Sequence, residues 1–123
     1  MREAINQAAL APAQLTTDSG KQSFCFADSF IGFAGHFPDY PILPAILQTL
    51  MAQMLAEQIM GQSLQFLSLE RAKFTRQLRP QEQIDVSLQC REKENQMRCT
   101  VQLEVAGEPA ANFTLVLSKG TSI

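Results

Sequence analysis

Gly32-Phe33-Ala34-Gly35-His36-Phe37-Pro38-Asp39-Tyr40-Pro41-Ile42-Leu43-Pro44 is the stretch on which the reading of this chain turns. It holds the only histidine in the sequence. Three prolines, Pro38, Pro41 and Pro44, stiffen the backbone after it. Histidine exchanges a proton near neutral pH. An apolar pattern of helical spacing starts at once: Ile46, Leu47, Leu50, Met51, Met54, Leu55 and Ile59. Pro44 suits a first helical turn, where its missing N–H does no harm, and Gly61 suits a stop. A helix is therefore predicted over 44–60. A histidine taken alone is more often a packed or surface residue than a catalyst. A titratable group on a rigid turn before a helix N-terminus is instead the layout of a proton-abstracting site.

The predicted helix is apolar almost all round, so other elements should wrap it. Downstream the period changes from helical to two. Ile84, Val86, Leu88 and Cys90 alternate with Asp85, Ser87, Gln89 and Arg91. Met97, Cys99, Val101, Leu103 and Val105 alternate with Arg98, Thr100, Gln102 and Glu104, and Phe113, Leu115 and Leu117 close the series. Turns fall at Glu92-Lys93-Glu94-Asn95 and at Gly107-Glu108. Such alternation predicts antiparallel strands with one buried face. Upstream, Leu15 to Ala27 reads as extended segments around a turn at Asp18-Ser19-Gly20-Lys21, with Phe24 and Phe26 on one face. Residues 1–14 are rich in Ala and Gln and read as a short helix or a loose segment ending near Pro12. One buried helix ahead of consecutive hairpins gives an α+β class, a curved sheet around a helix.

A chain of 123 residues, 46% apolar, is expected to form one domain over 1–123. Its net charge of -2 argues against nucleic-acid binding by bulk charge. No apolar run is long enough to span a bilayer, and Met1 to Gln7 lacks the layout of a signal peptide. Cys25, Cys90 and Cys99 are odd in number and lack metal-ligand spacing. Free thiols are expected, with Cys90 and Cys99 buried, and no metal and no cofactor. A cytoplasmic location fits these features.

The run His36-Phe37-Pro38-x-x-Pro41-x-x-Pro44 before an amphipathic helix resembles the signature of the FabA/FabZ-type 3-hydroxyacyl-thioester dehydratases of the hotdog fold. Phe66 to Glu82 looks like that family's strand and turn after the helix, and Val105 to Ala110 like its final hairpin. The likeness runs from about Phe26 to Ser118. It implies a hotdog domain that pairs into a homodimer, or a higher assembly of dimers, with a sheet continuous across subunits. It also implies a 3-hydroxyacyl thioester on acyl carrier protein or coenzyme A as substrate. His36 would be the general base, kept neutral by desolvation among Phe33, Phe37 and Tyr40. The N–H groups near Ala45 and Ile46 would polarise the thioester carbonyl. In the family a glycine stands where this chain has Ala45.

The family's acid, a helix carboxylate that works with the histidine of the other subunit, falls on Leu50 when counted without a gap. A one-residue shift puts it between Thr49 and Leu50. Leucine donates no proton. Glu57 is the only acid on the helix and lies further on. Tyr40, Gln48 or an ordered water could stand in as donor, and Tyr40 could equally be a packing ring. Asp39 could orient the imidazole or face solvent. Three readings follow: a dehydratase with another donor, a non-catalytic acyl-thioester-binding or partner subunit, and, weakest, a thioesterase. Met51, Met54 and Met60, with Phe33, Phe37 and Phe66, are either the wall of an acyl tunnel or plain core. Arg71, Lys73, Arg76 and Arg79 are either a docking patch for an acidic carrier or its phosphate, or a solvated strand edge. Strand parity would put Arg71, Lys73 and Arg79 on one face and Arg76 on the other.

Overall fold

Three hairpin-compatible strands with alternating burial dictate most of the architecture. The structure, a computed structural model, describes residues 1–33 and 40–119. Its elements run in chain order as α1 (Arg2–Gln7), β1 (Gln14–Leu15), β2 (Ser19–Cys25), a 3-10 turn (Ile31–Phe33), α2 (Ala45–Met60), β3 (Leu64–Phe74), β4 (Gln83–Lys93), β5 (Gln96–Val105) and β6 (Glu108–Lys119). The six strands form one antiparallel sheet in the order β1-β2-β4-β5-β6-β3. β3 lies at one edge, although it follows α2 in sequence. The chain crosses the whole sheet to reach it.

The concave face of the sheet packs on α2. Ile84, Val86, Leu88 and Cys90 of β4, Met97, Cys99, Val101 and Leu103 of β5, and Phe113, Leu115 and Leu117 of β6 are all buried, as the alternation predicts. Burying a side chain of this size stabilises by about 1.5–3 kcal/mol. The core therefore rests on these three strands and the middle of α2. Phe24 and Phe26 also share the core face, their rings stacked at 6.2 Å. Ile5 is fully buried, which ties α1 down rather than leaving it loose.

The helix starts at Ala45, after Pro44 at the N-cap, and stops at Gly61, whose φ of 68° is the left-handed cap that glycine adopts without strain. Its middle, Gln48 to Ala56 apart from half-buried Leu50, is buried. The first turn is not: Ile46 is 76% exposed and Ala45 is exposed too. The helix is thus wrapped over its middle and bare at its start.

Several boundaries differ from the sequence-based expectation. The first turn occupies Thr16 to Asp18 rather than Asp18 to Lys21. Thr16 N–H donates to Ser19 O at 2.8 Å, and the paired hydroxyls of Thr16 and Ser19 close the turn. The next turn tightens to Glu94-Asn95, and the last shifts by one residue to Ala106-Gly107. Both residues of the last have positive φ, 53° and 80°, the geometry that matches the twist of flanking strands. Strand parity fails for the basic cluster. Arg71 has φ 52° at a break in the β3–β6 register, and β3 ends at Phe74, before Arg76 and Arg79. A bulge adds one residue and shifts every later side chain to the other face. No described helix is long and apolar enough to cross a membrane.

Candidate active site

The start of α2 and the segments docked against it define the candidate site. His36, Phe37 and Asp39 lie outside the described residues; the chain on either side is described. Upstream, Phe26, Phe30 and Phe33 form an aromatic cluster, with Phe30 4.3 Å from Phe26 and 5.4 Å from Phe33 between centroids. Edge-to-face and tilted pairs of this kind favour one fixed arrangement. Gly32 makes it possible, because a Cβ there would collide with the Phe30 ring and with Leu47 on α2. Phe33 is buried in this cluster.

Downstream, Tyr40 is 45% exposed, and the Arg79 guanidinium lies 3.7 Å above its ring. Leu43 N–H donates to Leu78 O at 2.8 Å, which docks the segment before the helix onto the segment after β3. Gln48 reaches back one turn, and its amide donates to Leu43 O at 3.1 Å. The other end of that amide, Oε1, is buried without a partner. A buried acceptor left unpaired costs about 1–3 kcal/mol. The sequence offers Gln48 as a stand-in donor; its amide is buried and given to Leu43 O, which makes it part of the site's scaffold.

Leu47 and Gln48 N–H both donate to Pro44 O. Among the described residues, no backbone carbonyl accepts from Ala45 or Ile46 N–H. Those two donors open the helix at its positive end, the arrangement that binds a carbonyl oxygen gathering negative charge.

The polar side chains further along α2 are committed elsewhere. Thr49 Oγ1 donates to Ala45 O at 3.0 Å, and Gln53 Nε2 donates to Leu64 O at 2.9 Å. Glu57 accepts from Leu64 N–H at 3.0 Å and pairs with Arg2. It is a structural anchor between α1, α2 and β3, roughly 10 Å along the axis from Leu50. Leu50 itself is half-buried.

The remaining candidates separate. Met51 has no exposed surface and is core within the chain. Met54 lines a 780 Å³ groove with Arg2, Asn6, Pro12, Gln22 and Glu57, under the N-terminal segment. Phe66 is half-exposed on edge strand β3. Arg76 is ion-paired with Glu82. Arg71 and Lys73 are exposed on β3. Of the four basic residues, Arg79 is the one stacked on Tyr40 among the described residues. No group of three or more metal-ligating side chains occurs among the described residues.

A family model described as "ApeI-like: ApeI dehydratase" matches residues 13–113. The chain belongs to the ApeI-like dehydratase family. Curated relatives of this ApeI-like chain include the 3-hydroxyacyl-acyl-carrier-protein dehydratase FabZ of Streptococcus suis, 28% identical over 96 residues, which cover 72% of this chain and 69% of that one. FabZ of Bacillus cereus is 28% identical over 95 residues, covering 68% and 66%. The match thus spans about two thirds of each relative's length. Among solved structures, the dehydratase heterocomplex ApeI:P from Xenorhabdus doucetiae superposes with a TM-score of 0.80 at 21% identity, over 90% of this chain and 96% of that one. A hypothetical thioesterase with coenzyme A from Streptococcus pneumoniae superposes with a TM-score of 0.73 at 7% identity, over 99% and 96%. These likenesses establish the hotdog fold.

Proposed function

We propose that this ApeI-like chain takes part in the dehydration of a 3-hydroxyacyl thioester carried on acyl carrier protein or coenzyme A, with His36 as the general base. The observation that carries this reading is the open N-terminus of α2. Its two N–H groups, which no backbone carbonyl among the described residues accepts from, follow directly on the segment that bears the chain's only histidine. His36 takes the proton beside the thioester carbonyl. Charge develops on the carbonyl oxygen, and the N–H groups of Ala45 and Ile46 receive it. Tyr40 and Leu50 bound the acyl chain near the carbonyl, while Met51 stays in the core. The leaving hydroxyl needs a proton.

A specific observation favours a second reading, in which the chain is one subunit of a mixed assembly. Its own helix offers no free acid: Leu50 is apolar and Glu57 is tied to Arg2 and Leu64. A second copy would bring the same helix and the same lack. A different partner with a carboxylate on its central helix would complete the chemistry. That the superposed Xenorhabdus dehydratase is a heterocomplex supports this arrangement.

The test is turnover of a 3-hydroxyacyl thioester on acyl carrier protein by wild type, His36→Ala, Leu50→Glu and the double variant. Restoring the acid in Leu50→Glu should raise turnover at least tenfold, and adding His36→Ala should return it to background. Equal rates with and without the imidazole in the Leu50→Glu background would discard the base assignment. Unchanged turnover in Leu50→Glu alone would discard the missing-acid account.

A further inference from the structure

Cys90 and Cys99 sit nine positions apart, on either side of the β4–β5 turn. Lys93 and Gln96 pair directly across the Glu94-Asn95 loop, so Cys90 and Cys99 fall opposite each other. In an antiparallel ladder, hydrogen-bonded and non-hydrogen-bonded pairs alternate. A two-residue loop is closed by a bonded pair, which makes 93/96 and 91/98 bonded and 90/99 non-bonded. A second contact agrees. Cys90 N–H donates to Asp18 O at 2.7 Å, on the β2 side, and so does not point toward Cys99. Non-bonded pairs bring the Cα atoms to about 4.5 Å, inside the span a disulfide bridges. Both side chains point into the core, where they are 4% and 0% exposed, and the sulfurs are in contact at 2.8 Å. Both thiols are free.

The two sulfurs are not equivalent. The hydrogen bond between the two sulfurs, in which either thiol can be the donor, holds Cys90 below its ordinary value, while burial and the nearby Asp18 carboxylate push the other way. The hydrogen bond to Cys90, and burial, push Cys99 up. Cys90 is thereby the sulfur that ionises first, and thiolate character decides which sulfur attacks.

From the register and the sulfur contact we infer that Cys90 and Cys99 form a dithiol–disulfide modification site whose oxidant is hydrogen peroxide. The Cys90 thiolate attacks one peroxide oxygen. A sulfur–oxygen bond forms, the oxygen–oxygen bond breaks, and the departing hydroxide takes a proton to leave as water. The Cys99 sulfur then displaces the second oxygen from the Cys90 sulfenic acid. A sulfur–sulfur bond forms, and that oxygen leaves as a second water with the Cys99 proton. The two thiols lose two electrons and the peroxide gains them. The product ties β4 to β5 in their native register, and an added dithiol returns the reduced pair.

The experiment treats the folded full chain with hydrogen peroxide, alkylates it under denaturing conditions and maps the peptides. The expected result is loss of alkylation at Cys90 and Cys99 together, retention at Cys25, a 90–99 crosslink, and recovery of both thiols with dithiothreitol. Cys25→Ser should crosslink like wild type. Cys99→Ala should instead trap a sulfenic acid at Cys90 that dimedone labels. Folded protein that keeps both thiols, or a crosslink that includes Cys25, would overturn the inference. So would a 90–99 crosslink that forms as fast in urea-unfolded chain, because the register would then contribute nothing.

Discussion

At the residue scale, function rests on side chains whose partners the fold assigns. Arg79 shows this best. In sequence it is one of four basic residues; in the structure it alone stacks on Tyr40 at the edge of the Pro-rich segment, with its Nε buried and unpartnered. A guanidinium held this way suits the phosphate at the end of a pantetheine arm. Arg79→Ala should raise KM several-fold for a thioester of coenzyme A or phosphopantetheine, while leaving KM for a phosphate-free pantetheine thioester unchanged. Steady-state kinetics on the two substrates check this, and an equal rise for both would assign Arg79 to packing. Gln53 is the structural counterpart: Gln53→Leu strips Leu64 O of its only described side-chain donor and should cost about 1–3 kcal/mol in urea unfolding.

At the element scale, α2 was the most legible part of the sequence. Its apolar spacing, Pro44 and Gly61 mark both ends to within a residue. The strands β4 to β6 were equally plain, because a period of two has one structural meaning. β3 was not. Its burial follows no alternation, and two register breaks interrupt it. Only pairing with β6 defines where it bulges. The 3-10 turn at Ile31–Phe33 was hidden in the same way, since it depends on Gly32 fitting between the Phe30 ring and Leu47. Gly32→Ala should force that cluster apart and destabilise the chain by about 1–3 kcal/mol, read as a lower urea midpoint with an unchanged m-value. A variant as stable as wild type would show that the turn yields without cost.

At the scale of the whole molecule, bare surface points to assembly. β3 is an 11-residue strand at the edge of the sheet, with Phe66, Leu67 and Phe74 all exposed. An uncovered edge of that length with apolar side chains invites another strand. Ile46 at the open end of α2 is uncovered as well. A partner strand added along β3 would continue the sheet. Light scattering on the purified chain should give at least twice the mass of 13.6 kDa. Leu67→Lys together with Phe66→Lys should shift the assembly toward monomer. A wild-type chain that stays monomeric at high concentration would remove the β3 edge as an interface.

By itself the sequence determined the class of fold, the boundaries of α2, the buried face of three strands, and the family through the His36-to-Pro44 motif. These are local properties: spacing, the fixed φ of proline, the freedom of glycine. What faces what was decided only in three dimensions. Sequence put Cys90 and Cys99 in separate strands, and pairing made them neighbours. It gave Arg76 and Arg79 the same charge, and packing gave one to Glu82 and the other to Tyr40. Contacts between residues distant along the chain depend on register and strand order, and a single bulge resets both.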